Sequence, residues 1–141
     1  MYVLKTEASF DAAHFLKGYD GKCSNLHGHR WRVEAAFSGR DLQPDGSCRD
    51  MLLDFGELKD ALRALTEPLD HALLVTEGSL RPGTLAALEQ EGFRMVVFPF
   101  RTTAERLARY FFEALRDNGL PVSSVTVYET PSNCAQYGEE I

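Results

Sequence analysis

Two segments near the start of the chain alternate apolar and polar residues, and this period of two constrains the fold more than any other feature. In residues 2–13 the even positions are mainly apolar, and in residues 30–37 the odd positions are. Such alternation is typical of strands that are buried on one face. The two strands are therefore predicted to pair as a hairpin closed by residues 15–26, with the second strand ending near Gly39.

The next segments have the periodicity and the end signals of amphipathic helices. One helix is predicted to begin after Asp54, which can cap its first turn, and to stop before Pro68. Another is predicted to begin at Thr102, where Thr102 and Glu105 form a capping box, and to end at Gly119. These helices would supply apolar faces for the strands to pack against.

Shorter elements complete the pattern. Residues 84–91 are predicted to form a short helix closed by Gly92, residues 94–98 a brief strand, and residues 125–129 a closing strand that is followed by a polar tail. The order strand, strand, helix, helix, strand predicts an α+β fold with helices packed on one face of a largely antiparallel sheet. An open sheet this small invites pairing with another subunit.

Length and charge limit the number of domains and the class of ligand. At 141 residues with 44% hydrophobic content, the chain is predicted to form one domain over residues 1–141. The net charge of −6 argues against a nucleic-acid partner. A local excess of basic residues between positions 17 and 32 is compatible with a solvated loop or with a small anionic substrate.

The sequence also limits the expected location of the protein. The first ten residues include Lys5 and Glu7 and do not resemble a secretory signal, and no stretch approaches the run of about eighteen apolar residues that a membrane span needs. Three cysteines without a C-x-x-C pair make a disulfide framework unexpected. A reducing cytoplasm, without membrane contact, is the expected location.

Three of the four histidines fall where the predicted hairpin brings its ends together. His27 and His29 are two residues apart at the start of the second strand, so extended backbone directs both side chains to one face. His14 ends the first strand and is expected to return beside them. Three imidazoles with a fourth position open are typical of a catalytic zinc ion. All three ligands are imidazoles and no carboxylate obviously completes a facial triad, which favours Zn²⁺ over iron. The alternative is that they are ordinary turn and strand histidines.

The remaining histidine and one cysteine are candidates for proton transfer. His71 follows Asp70 directly, and a carboxylate can tune an imidazole to titrate near neutrality, but the pair meets only if the chain bends between them. Cys23 follows Lys22 and precedes His27 by four residues, where a thiol is a usable base or nucleophile. The alternatives are a polar helix-end loop for the first pair and a half-buried hydrophobe for Cys23.

Six short motifs follow one another in a recognisable order. They are F-D-A-A-H at 10–14, C-S-N-L-H-G-H at 23–29, L-D-F-G-E-L-K at 53–59, L-D-H at 69–71, T-A-E at 103–105 and V-Y-E-T at 127–130. Together they resemble the family of 6-pyruvoyl-tetrahydropterin and 6-carboxy-tetrahydropterin synthases. The resemblance covers nearly the whole chain except about residues 73–101.

The resemblance implies a fold, an assembly and a set of site residues. The fold is the tunnelling fold (T-fold), and the assembly is a homohexamer of two stacked trimers with active sites between subunits. Glu129 resembles the carboxylate that anchors the pterin ring, a role for which two parallel hydrogen bonds to an aminopyrimidinone edge are suited. The other implied roles are zinc ligands for His14, His27 and His29, base for Cys23, and proton relay for Asp70 and His71.

Three features depart from the common bacterial pattern of the family. The usual asparagine soon after the Asp-His pair is missing from residues 70–75, the connection to the last helix is longer, and Thr102 stands where a proline is common. A folate-type branch of the family has a glutamate three residues before H-G-H in place of the cysteine. Here that position is Ser24 and the cysteine is present.

The implied activity is a lyase reaction on a pterin triphosphate. It converts 7,8-dihydroneopterin triphosphate to 6-carboxy-5,6,7,8-tetrahydropterin, acetaldehyde and triphosphate, on the route to queuosine and other 7-deazaguanine compounds. A second activity in the family forms 6-pyruvoyl-tetrahydropterin without acetaldehyde. Outside the family, the same residues are compatible with a hydrolase that uses Cys23, His71 and Asp70, or with a zinc-stabilised interaction module.

Overall fold

The long hairpin that the period of two predicts is present in the computed structural model, which describes residues 1–139. Strand β1 (Tyr2–His14) pairs antiparallel with strand β2 (His27–Gly39) over the full length of both. His14 lies opposite His27 in this register. The closed end of the hairpin therefore carries a histidine on each strand.

Four further strands extend the hairpin into a six-stranded sheet. They are β3 (Ala72–Thr76), β4 (Met95–Phe98), β5 (Val122–Thr130) and β6 (Asn133–Gly138), in the order β4-β3-β1-β2-β5-β6. The pairs β2/β5 and β5/β6 are antiparallel, whereas β3 runs parallel to both β1 and β4. The α+β prediction is confirmed, with a sheet that is mixed on the β1 side. Neither β3 nor β6 was predicted.

Three helices accompany the sheet. They are α1 (Phe55–Thr66), α2 (Pro82–Gln90) and α3 (Ala104–Asp117). Asp54 caps α1 as predicted, because its side chain accepts a 2.8 Å hydrogen bond from the backbone N–H of Gly56. Among the helices within residues 1–139, none is long and apolar enough to cross a membrane.

The start of α3 lies one residue later than predicted. Thr103 is the N-cap, and its hydroxyl accepts a 3.2 Å hydrogen bond from the backbone N–H of Arg106. The predicted capping box of Thr102 and Glu105 is therefore wrong. Thr102 is instead fully buried, and its side chain turns toward the closed end of the hairpin, where it contacts His14.

Helices α1 and α3 cover one face of the sheet, which we call the covered face. Phe10 and Trp31 stack on this face with ring centroids 6.0 Å apart, and Phe10 also contacts Phe111 of α3. All three side chains are buried. Because β1 alternates, His14 lies on the same face as Phe10, at the end of this core.

The opposite face of β1 and β2, which we call the polar face, carries charged side chains. Asp11 and Arg30 form an ion pair across the hairpin at 3.1 Å. Further along, Arg32 pairs with Glu7 at 3.1 Å and stacks on the ring of Tyr128, 3.7 Å from its centroid. The hairpin thus separates an apolar side from a charged side.

Candidate active site

Three imidazoles converge at the closed end of the hairpin. The ring centroids lie 4.6 Å apart for His14 and His27, 4.9 Å for His27 and His29, and 5.2 Å for His14 and His29. One nitrogen from each ring lies within 4.8 Å of the others. The register of β1 and β2 brings His14 beside His27, and the period of two places His29 on the same face.

Hydrogen bonds on the outer side of two rings determine which nitrogen carries the proton. The Nδ1 atom of His14 lies 3.0 Å from the carbonyl oxygen of Thr102, and that of His27 lies 2.7 Å from the carbonyl oxygen of Asn25. A carbonyl oxygen only accepts, so each Nδ1 is the donor. Each ring therefore directs Nε2 to the shared space, where the lone pair of a neutral imidazole can bind a metal.

The shared space between the rings fits a metal ion. The Nε2 atoms of His14, His27 and His29 are buried, and none has a hydrogen-bond partner in the described part of the chain. Buried polar atoms without hydrogen-bond partners destabilise the folded state, so a cluster of them indicates a site that a ligand occupies. Imidazole ligands whose outer nitrogens bond to carbonyls are the usual arrangement around zinc and related ions. The group can therefore bind a metal.

A carboxylate also reaches this space. Glu129 Oε1 lies 3.4 Å from His14 Nε2 and 3.5 Å from His29 Nε2. Contact with the His14 imidazole lowers the pKa of Glu129, against the opposing effect of burial. Burial lowers the pKa of His29, although Glu129 acts in the other direction. Three imidazoles with a carboxylate beside them still differ from a facial triad of two histidines and one carboxylate, so the preference for zinc over iron stays a prediction.

The side chains of Asp70 and His71 contact each other, which was expected only if the chain bends between them. His71 adopts a φ of 58°, in the left-handed region that non-glycine residues rarely occupy. This bend places His71 Nδ1 3.2 Å from Asp70 Oδ2. The His71 side chain remains 79% exposed, so its ring is accessible to a ligand.

The backbone of β1 holds this pair at the edge of the sheet. Asp70 Oδ1 accepts a 2.8 Å hydrogen bond from the N–H of Asp11, and the N–H of His71 donates to the carbonyl of Asp11 at 2.6 Å. The Asp11 hydrogen bond, and then His71, lower the pKa of Asp70. Asp70 is therefore an ionised acceptor for His71 at neutral pH.

The two groups of one chain do not converge. The imidazole cluster and the cluster of Asp11, Asp70 and His71 are separate sets of potential ligand atoms. Asp11 precedes His14 by three strand residues, which is about 10 Å along the strand, and its side chain belongs to the polar face. Within a single chain, the Asp-His pair and the three imidazoles are therefore separate groups of potential ligand atoms, although His29 and His71 both line one surface groove.

Cys23 belongs to neither cluster. It lies in the 3₁₀ turn Lys22–Ser24 of the loop that closes the hairpin, where it is half-buried and free of any disulfide. The backbone N–H of Leu16 donates to its carbonyl at 2.9 Å, which ties the turn to the end of β1. The turn stands directly before the segment that carries His27 and His29.

A groove of about 670 Å³ lies beside the Asp-His pair. His71 contributes to its wall together with Leu26 from the closing loop and Leu88, Phe93 and Met95 from the α2–β4 region. Leu26 and Phe93 are strongly exposed, at 67% and 62%. Exposed apolar side chains around an accessible histidine indicate a surface that a ligand or another chain covers.

Thr102 is the site residue that sequence reasoning missed. Its carbonyl and its hydroxyl both lie 3.0 Å from His14 Nδ1, so it supports the imidazole from behind. The sequence signal for this role is the pair of adjacent threonines, Thr102 and Thr103. One of them can cap the helix, and the side chain of the other is then available for a different contact.

Comparisons with known proteins agree along the whole chain. The family model described as 6-pyruvoyl tetrahydropterin synthase matches residues 3–140. A protein from Haemophilus influenzae named 6-carboxy-5,6,7,8-tetrahydropterin synthase is 39% identical over 142 residues, covering 99% of this chain and 100% of that protein. A Synechocystis protein of the same name is 32% identical over 139 residues, covering 97% of this chain and 93% of that protein.

Solved structures show the same fold. A Wolinella succinogenes protein described as uncharacterized superposes with a TM-score of 0.83 at 24% identity, covering 99% of this chain and 98% of that one. The 6-pyruvoyl tetrahydropterin synthase of Caenorhabditis elegans gives a TM-score of 0.68 at 26% identity, covering 99% and 96%. The predicted tunnelling fold is confirmed. The chain belongs to the 6-pyruvoyl tetrahydropterin synthase family.

Proposed function

We propose that the chain is a zinc-dependent 6-carboxy-5,6,7,8-tetrahydropterin synthase that serves the route to queuosine and related 7-deazaguanine compounds. Its substrates would be 7,8-dihydroneopterin triphosphate and one water molecule, and its products 6-carboxytetrahydropterin, acetaldehyde and triphosphate. The observation that carries the proposal is the cluster of buried Nε2 atoms without partners, with Glu129 beside it. The names of the full-length relatives favour the carboxy product over the pyruvoyl product.

The metal would be held by His14, His27 and His29. Bound zinc would supply Lewis acidity toward the side-chain hydroxyls of the substrate. Two of the three rings already have the required tautomer, because their Nδ1 atoms donate to backbone carbonyls. The carbonyl of Thr102 therefore orients His14 for this role.

Glu129 is proposed to anchor the pterin ring. Its lowered pKa keeps the carboxylate ionised at neutral pH. An ionised carboxylate can accept two parallel hydrogen bonds from the N–H groups of an aminopyrimidinone edge. Fixing this edge would orient the bicyclic ring within the site.

Two groups are proposed to move protons. Cys23 would take a proton from a side-chain carbon of the substrate, and His71 would return one. Asp70 accepts from His71 Nδ1, which leaves the other ring nitrogen to face the substrate. The exposure of His71 supports this role, since its ring is open to a ligand.

A product assay tests the proposed function. Purified protein incubated with 7,8-dihydroneopterin triphosphate is expected to release acetaldehyde and triphosphate in equal amounts, with 6-carboxytetrahydropterin as the pterin product. Chromatography with mass detection identifies the pterin, and an alcohol dehydrogenase assay quantifies the acetaldehyde. Triphosphate release with a pyruvoyl product and no acetaldehyde would identify the second family activity instead. No consumption of the substrate would contradict both.

We further propose that the chain works as a homohexamer, a dimer of trimers, in which each active site combines two chains. Support comes from the imidazole cluster and the Asp-His pair, which are separate groups of potential ligand atoms within one chain. The apolar groove around His71 offers a surface for a second copy. In the described residues β1 pairs with β3 through Ala12 and Ala13, and side chains or loops bond the backbone of Asp11 and Glu7. The part of this edge toward Tyr2 is left for another strand.

Mixing two inactive variants tests the shared site. His27→Ala removes a metal ligand and His71→Asn removes the proton donor, and each homo-oligomer is expected to be inactive. If sites combine two chains, random co-assembly from equal amounts should restore up to about a quarter of the wild-type activity, because one site in four receives two intact halves. Co-expression with two different tags isolates the mixed oligomer for assay.

Two variants that each lack one of the proposed metal ligands provide the control for this experiment. His14→Ala mixed with His27→Ala should restore nothing, since neither chain brings an intact metal cluster. Light scattering of the wild-type protein should give the mass of six chains. A stable monomer, or mixed oligomers without any activity, would contradict the shared site.

A cytoplasmic location and a single domain over residues 1–141 complete the proposal. Cys23, Cys48 and Cys134 are all free, as expected in a reducing compartment. A thiol that acts as a base must also stay reduced. One continuous sheet with one buried cluster supports a single folding unit.

A further inference from the structure

The segment between the Asp-His pair and α3 forms a structural unit of its own. It consists of β3, α2 and β4, and we call it the inserted unit, because it makes up most of the segment 73–101, which lies between the family motifs. β3 begins at Ala72, directly after His71, and pairs in parallel with β4 from Leu73 and Met95 onward. The inserted unit therefore starts where the Asp-His pair ends.

One side chain of the inserted unit reaches back to the turn that carries this pair. Arg94 precedes β4, and its Nη1 atom donates to the carbonyl of Asp70 at 2.9 Å and to that of Glu67 at 3.0 Å. Glu67 is the first residue of the 3₁₀ turn Glu67–Leu69, and Asp70 is the residue that caps its C-terminal end. The backbone of Arg94 also takes part, because its carbonyl accepts from the N–H of Leu73 at 3.0 Å.

The turn is consequently held from two sides. On one side, Asp11 of β1 exchanges hydrogen bonds with the Asp70 carboxylate and the His71 N–H. On the other side, Arg94 holds the Asp70 carbonyl with charge-assisted hydrogen bonds, which are stronger than neutral ones. The left-handed conformation of His71 between them needs such support, since a non-glycine residue keeps it only where the surroundings impose it.

We propose that Arg94 is a positioning residue for the Asp70–His71 pair, through which the inserted unit fixes the orientation of the His71 ring. The proposal deepens the proposed function, because it rests on His71 as a proton donor in that reaction. Arg94 does not need to touch the substrate for this role. It acts by keeping the bend between Asp70 and His71 in place.

Replacement of Arg94 by methionine tests the proposal, because methionine keeps much of the length of the side chain and removes every donor. Arg94→Met is expected to lower kcat about ten- to a hundred-fold, the cost of a small misplacement of a catalytic group, with KM and zinc content unchanged. Arg94→Lys should recover much of the loss, since an ammonium group can still donate to both carbonyls. Arg81→Met removes the same charge from an exposed position at the start of α2 and should behave as wild type.

Hydrogen–deuterium exchange provides a measurement that needs no substrate. In Arg94→Met, the amides of Asp11 and His71 and the peptide around residues 67–74 should exchange faster than in wild type, while β2 and β5 keep their protection. Arg81→Met should leave the exchange pattern unchanged. The exchange result decides whether Arg94 holds the turn even if the wild-type protein fails to turn over the proposed substrate.

Several results would overturn the proposal. Unchanged exchange at Asp11 and His71 in Arg94→Met would show that Arg94 does not hold the pair. Loss of protection throughout the sheet would indicate a general structural role instead. A wild-type kcat with locally faster exchange would show that the held turn is irrelevant to turnover, as would a fall in kcat that Arg94→Lys does not relieve at all.

Discussion

His27→Ala is expected to purify without stoichiometric zinc and to lose detectable turnover. The substitution removes one of three imidazoles whose Nε2 atoms share a buried space. Outer partners of metal ligands already contribute about ten- to a hundred-fold in metal affinity, and a direct ligand contributes more. Elemental analysis of the protein after dialysis gives zinc per chain, and the product assay gives the turnover.

His27 is the most suitable of the three proposed ligands to replace. It is half-buried in the chain, whereas His14 is fully buried beside Trp31 and its removal would also leave a cavity in the core. His71→Ala is the matched control, because it removes the remaining histidine from the separate cluster and should keep one zinc per chain. Full occupancy in His27→Ala would remove His27 from the ligand set.

The same variant separates an enzyme from a zinc-stabilised module. A catalytic site with an open position holds its metal within an existing fold, so the circular dichroism spectrum and the oligomeric mass should change little in His27→Ala. A structural zinc site contributes folding energy outright, and its loss would unfold the chain. The continuous core of α1, α3 and the sheet supports the first outcome.

The cluster of three imidazoles could be predicted from the sequence because it depends on local geometry. A period of two places His27 and His29 on one face, and a hairpin closed by the loop 15–26 returns His14 to them. Glu129 contacts the imidazoles because β5 pairs with β2. This pairing places Tyr128 opposite Arg32, although the two residues are far apart in the sequence. Spacing along the sequence carries no information about that register.

The missed elements have similar causes. β3 is a short apolar run without alternation, as expected for a strand that lies between parallel neighbours, so periodicity alone did not distinguish it. β6 lies at the edge and is largely exposed, which makes its composition resemble a polar tail. The predicted start of α3 was one residue too early, because Thr102 and Thr103 are both suitable N-cap residues. The side chain of Thr102 contacts His14, and Thr103 caps the helix.

Cys23→Ala is expected to keep zinc, assembly and pterin binding while losing the reaction. Loss of a general base typically lowers the rate by about a hundred- to ten-thousand-fold. The 3₁₀ turn should survive, because its tie to β1 uses the backbone carbonyl of residue 23 and not the thiol. Cys48→Ala removes another half-buried free thiol from a different loop and should keep full activity.

Proton exchange during turnover distinguishes the role of the thiol from that of a nucleophile. If Cys23 is a base, wild type in deuterated solvent should exchange a side-chain proton of the substrate, and Cys23→Ala should not. A hydrolase that used Cys23 with His71 would instead pass through a thioester, which intact mass would detect under rapid quench with an ester or amide. Cys23 belongs to neither group of potential ligand atoms, so its replacement by alanine should leave the imidazoles and the Asp-His pair in place and the exchange result should report on the thiol. If Cys23→Ala still exchanges that proton at the wild-type rate, Cys23 is not the base and His71 becomes the candidate.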